Sequence, residues 1–143
     1  MTTFTPDVTR VRPLPGSVVT PKVMAEASKL GRLCFIAPDG NLREAAGDTL
    51  PLATGQLVVI VASGNRNPDG TVAAGEAVDA LEFGRYAPGF AVDPTKQYFL
   101  ANITSTVKGL FGDAAGSNTR RLGKPESLEV FFFNPQEVAT TYS

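Results

Sequence analysis

Histidine and tryptophan are absent from this 143-residue sequence, and Cys34 is its one cysteine. Without imidazole there is no Ser-His-Asp or Cys-His machinery, no histidine metal site and no side chain that ordinarily titrates near neutral pH. One thiol makes neither an internal disulfide nor a cysteine-clustered zinc site. Long apolar runs are missing too. The longest, Leu57-Val58-Val59-Ile60-Val61-Ala62, falls far short of the roughly 20 residues that cross a bilayer as a helix. Charge is sparse and balanced, 13 Lys and Arg against 14 Asp and Glu, so no bulk field favours nucleic acid or an anionic membrane. The start, Met1-Thr2-Thr3-Phe4-Thr5-Pro6-Asp7, lacks the basic and apolar regions of a secretory signal, and synthesis in a reducing cytoplasm is expected. These absences point away from an enzyme and from any cofactor or metal.

What is present suffices for one core. Hydrophobic residues make up 43% and charged residues 19%, a balance that excludes wholesale disorder in a chain of single-domain length. Residues 1–20 read as an extended arm, because Pro6, Pro13, Pro15 and Gly16 interrupt any regular ladder or helix. Yet Phe4, Val8, Val11, Leu14, Val18 and Val19 recur along it, more apolar side chains than a solvated linker uses. Two readings follow: an arm folded back on its own domain, or one laid on a partner with Arg10 and Arg12 facing that partner's carboxylates.

Residues 21–143 read as a single β-rich domain with one short helix. Thr20 suits a helix cap, Pro21 the first helical position and Gly31 the residue after the end. Val23, Met24, Ala27 and Leu30 between them share one face of a 3.6-residue period. Beyond Gly31 the pattern is strands and turns. Leu33–Ala37 and Asn41–Ala45 flank Asp39-Gly40, a tight hairpin signature. Leu57–Ala62 has the unbroken apolarity of a strand buried on both faces. Shorter strands are expected over 77–83, 85–92 (bent at Pro88-Gly89), 97–100, 104–110 and 127–133, with a turn at Asp93-Pro94-Thr95-Lys96. Together they describe a small β-barrel or sandwich carrying an extended N-terminal arm.

Motifs for chemistry are weak. Asn65, Asn67, Asp69, Gly70 and Glu76 match much of an EF-hand spacing, but a strand precedes them where a helix is required, and Pro68 stiffens the loop. Leu122-Gly123-Lys124 is similar to the end of a phosphate-binding loop, with Pro125 where the magnesium-holding hydroxyl belongs. Cys34, set between Leu33 and Phe35, reads as a small buried hydrophobe. Arg120, Arg121 and Lys124 form a basic cluster without interleaved aromatics, which argues against nucleic acid; a solvated loop is the first reading, and ion pairing with an acidic protein surface fits as well.

The Thr/Pro/Val-rich start, the helix-like segment before Gly31-Arg32-Leu33, the turn Pro38-Asp39-Gly40-Asn41 and the ending Arg121-Leu122-Gly123-Lys124-Pro125-Glu126-Ser127-Leu128-Glu129-Val130 carry a resemblance. Over roughly residues 16 to 135 the chain resembles the head-decoration, or capsid cement, proteins of tailed bacteriophages. That resemblance implies a β-rich homotrimer on the virion exterior, bound to the major capsid protein, with no catalytic residues. The expected contact residues are Phe4, Val8, Arg10, Val11, Arg12 and Leu14 of the arm, and Arg120, Arg121 and Lys124. The alternative is a receptor- or glycan-binding module of a phage tail, with Tyr86, Phe90 and Tyr98 as its aromatic platform.

Overall fold

In the computed structural model the chain is described at residues 3–45, 56–101, 108–113 and 121–135. Its strands are β1 (Thr3–Phe4), β2 (Arg12–Pro13), β3 (Val18–Val23), β4 (Ser28–Lys29), β5 (Leu33–Ile36), β6 (Leu42–Glu44) and β7 (Leu57–Ala62). Then come β8 (Thr71–Val72), β9 (Ala77–Ala87), β10 (Phe99–Leu100), β11 (Phe111–Gly112), β12 (Gly123–Pro125) and β13 (Phe131–Phe133). The main sheet runs β12-β13-β9-β7-β5-β6, with β2 and β3 on the other side of β9, and it curls into a half-barrel. The protein is mainly β, as its sequence predicts.

Strand β9 organises the sheet. One of its edges pairs with β7 and then β13, while β3 and β2 run along the other. The strand merges two segments that the sequence pattern separates. They join through a register irregularity opposite Val18 and Val19, which turns the side chains from Phe83 onward to a new alternation. Strand β7 is buried on both faces, as its composition implies. Leu57, Val59 and Val61 enter one core with Leu33, Leu81 and the aromatics Tyr86, Tyr98, Phe111, Phe131 and Phe133. Val58 and Ile60 enter a second with Met24, Leu30, Cys34, Leu42, Val72, Val78 and Ala80. The first is a web of mostly edge-on rings, Phe111 against Phe131 at 5.1 Å among them.

The β5–β6 hairpin has the expected register, Phe35 opposite Arg43, closed by Gly40 at φ +85° and by Asn41 N–H donating to Asp39 Oδ1. The turn at Asp93 is also as expected, its Oδ1 accepting from both the N–H and the hydroxyl of Thr95. Of the strand expected over 104–110, residues 104–107 lie outside the described residues, and 108–110 are not strand; β11 follows at Phe111.

The short helix expected after Thr20 is not formed, and the described residues contain no helix. Val18, Val19, Thr20 and Val23 are β-branched, and β9 offers this segment a hydrogen-bonding edge along its whole length, so tertiary pairing overrides the cap-like signals. Pro21 fits there because Met24 N–H donates to Glu76 O, and alternation back along β3 turns the missing Pro21 N–H to the open edge. Met24 and Leu30 do reach the second core, but from separate bends rather than from one helical face.

Candidate functional site

The outer face of the sheet collects the surface features that bear on function. Lys124, Phe132 and Arg85 stand side by side across β12, β13 and β9, on the side opposite the core residues Phe131 and Phe133. In the same alternation lie Phe83 opposite Val18 and Ala87 opposite Arg12. Phe83 keeps 41% of its surface exposed and Val18 50%. The Phe83 ring meets Phe132 edge-on at 5.1 Å. Along β3, Val19 and Val23 are exposed as well, and β3 pairs with no strand but β9 among the described residues. Val18, Phe83 and Phe132 make an apolar patch on this outer face, rimmed by charge, while Val19 and Val23, opposite Leu81 and Ala77, alternate to the other side of β3, so this edge strand exposes valine on both sides. At the rim, Arg85 Nε meets Glu126 Oε1 at 2.5 Å, and the interaction holds the guanidinium's pKa above its usual value. Glu82 is held by hydrogen bonds from the Thr20 hydroxyl and from Gln56 Nε2.

Next to this face is a groove of about 230 Å³ lined by Arg10, Arg12, Leu14, Phe90, Glu129 and Val130 among others. Arg10 Nη2 lies 3.7 Å from Glu129 Oε1 with both side chains largely exposed, a geometry worth little on its own. Arg12 has no acidic partner among the described residues.

The structure therefore divides the residues expected at the site. Arg10, Arg12 and Leu14 come together at the groove, and Lys124 joins the outer face from the far end of the chain. Arg121 is exposed and bridges Phe99, whereas Arg120 lies outside the described residues. Three apolar side chains of the arm, those of Phe4, Val8 and Val11, face their own domain. Val11 is buried in the first core, Phe4 stacks on Phe90 at 5.2 Å, and Val8 packs against the second core. Backbone pairing holds them there: β1 pairs with β11, β2 with β9, and Asp7 N–H donates to Gly89 O. The folded-back reading of the arm is what the structure contains, and β3 crosses residue 20 without a break.

Sequence reasoning missed Phe83, Phe132, Val23 and Leu128 as surface residues. Their signal lies in register, which decides which of two adjacent apolar residues faces out, and periodicity alone does not give it. Other motifs resolve into local structure. Asp69 Oδ1 accepts from Thr71 N–H, and Gly70 N–H donates to Asn67 O, so the calcium-like loop is a closed turn. No cluster of three or more His, Cys, Asp or Glu suited to a metal occurs among the described residues. Cys34 is fully buried, and burial, reinforced by the Glu44 charge, pushes its thiol far above the ordinary range. Around it Glu44 accepts from the Ser28 hydroxyl at 2.7 Å and pairs with Arg32 at 3.6 Å, a half-buried clasp between β4, β5 and β6. No protein-family profile matches the chain, and no curated protein sequence matches it.

Proposed function

We propose that this chain is a structural adhesion module, a decoration protein that binds the major capsid protein on the outside of a phage head. The observation that carries the reading is the exposed apolar edge at β3, with Val18 beside Phe83 on the outer face and Val19 and Val23 exposed along the same edge strand. Such an edge on a twisted sheet suits broad, shape-based contact with another protein. Its charged rim, Arg85, Lys124 and Glu126, steers and orients more than it holds. Weak single contacts suffice on a symmetric particle, where many copies act together. With Phe4, Val8 and Val11 turned inward, contact falls to the sheet face, with Lys124 on it.

A tail-borne receptor- or glycan-binding module is the second reading. The platform it calls on is largely covered: Tyr86 and Tyr98 are 0% and 1% exposed, and Phe90 is stacked on Phe4. The decisive experiment counts copies bound to purified heads of the parent phage lacking this protein, by quantitative gel or cryo-microscopy. Wild-type protein is expected to saturate the heads, and Val18→Asp with Val23→Asp to lower occupancy at least tenfold while the fold is retained. Heads that take up none of the wild-type protein, or the double variant equally well, would sink the reading.

A further inference from the structure

The turn between β12 and β13 puts an apolar side chain where turn chemistry favours a polar one. Leu128 is 64% exposed, the most exposed of the large hydrophobic residues among those described. Its position is fixed rather than loose. Val92 N–H donates to Leu128 O at 2.9 Å, Glu126 and Ser127 N–H both donate to Val130 O, and Glu129 N–H donates to Ser127 Oγ. A preorganised apolar tip loses little freedom on burial, which is what a contact anchor requires.

Two residues further on, Val130 lines the groove with Leu14 and Phe90, apolar side chains among the polar Thr9, Arg10, Arg12 and Glu129, in a groove of about 230 Å³ with room for a leucine side chain. The groove's charges complement the tip that adjoins it. Glu129 stands beside the exposed Leu128, and Arg12, without an acidic partner among the described residues, stands in the groove beside Arg10. A carboxylate accepts from more than one guanidinium, so Glu129 can keep Arg10 of its own chain and take an arginine from another.

We propose that the groove receives a second copy of this chain: Leu128 of each copy enters the groove of the other, and Glu129 of each meets the other's Arg12. Tip and groove are neighbours on one end of the molecule, so one two-fold axis satisfies both contacts at once. This surface is separate from the β3 edge, and the proposal does not rest on the capsid reading.

The test is sedimentation equilibrium of the full chain over a wide concentration range, at low and at high salt. Wild-type protein is expected to dimerise reversibly, more weakly in high salt because the Arg12–Glu129 pairs are screened. Leu128→Asp and Arg12→Glu are each expected to raise the dimer dissociation constant at least tenfold with circular dichroism and melting temperature retained. Val18→Asp, on the other surface, leaves the dimer intact. Leu128 is exposed and Arg12 unpaired, so neither change removes a core contact. A chain that stays monomeric at every concentration, that associates regardless of Leu128, or that closes a ring of three or more would overturn the proposal. Capture of some other partner by a groove that never self-associates would overturn it too.

Discussion

Val8 lies against the α-carbon of Gly70, so close that a Cβ built there would sit 2.6 Å from Val8 Cγ1. The two residues are 62 positions apart, one in the N-terminal segment and the other in the turn before β8. Gly70 also holds φ at +87°, a region that suits glycine, and its carbonyl accepts from Leu30 N–H. One glycine thus lets the leading segment close over the second core. Gly70→Ala is expected to destabilise the fold by about 1–3 kcal/mol through strain and overlap. Amide exchange should rise most in residues 3–14. Unchanged protection there would show that Val8 does not hold the segment down.

Phe4 is the arm's other tie. Its ring stacks on Phe90 and meets Tyr98 edge-on at 5.5 Å, at the margin of the aromatic core. Phe4→Ala should cost about 2–4 kcal/mol in urea unfolding, somewhat below a fully buried phenylalanine because Phe4 is only half-buried. Deleting residues 1–15 removes Val11 from the core as well and should abolish cooperative unfolding. A truncated chain that melts like the wild type would contradict this placement.

Tyr86 carries a phenolic oxygen that is buried with no hydrogen-bond partner among the described residues. Burial alone drives its pKa well above the usual tyrosine value. An orphaned buried hydroxyl costs about 1–3 kcal/mol against an apolar atom in its place. Tyr86→Phe is therefore expected to raise stability by about 1 kcal/mol, read from the urea midpoint. A clear loss would reveal a buried water serving that oxygen.

Acid sensitivity has identified sources. Asp7 and Asp93 are lowered in pKa chiefly by the hydroxyls of Thr9 and Thr95, and Asp69 chiefly by the backbone N–H of Thr71. Because their folded values lie below the unfolded ones, their stabilisation is present above about pH 4 and lost as pH falls through the folded values. With no histidine in the chain, the melting temperature should vary little from about pH 6 to 8 and drop on acidification below about pH 4. A transition centred near pH 6.5 would show another group at work.

The β character, the Asp39-Gly40 hairpin, the twice-buried Leu57–Ala62 strand and the turn at Asp93 are all legible in the order of residues. Each rests on local chemistry: positive φ at glycine, β-branched side chains in an apolar run, and an aspartate that bonds its own turn. Residues 20–31 form no helix because a cap-like threonine, a proline and a helical period are only short-range signals. The edge of β9 supplied a longer-range partner that outweighed them. Tertiary structure alone decided which way the arm turns, since both readings of residues 1–20 expose and bury the same side chains until Gly70 and Gly89 are placed beneath them. It also decided the surface. Whether Phe83 or its neighbour faces water depends on a bulge opposite Val18, and register across strands far apart in sequence is not written in either strand.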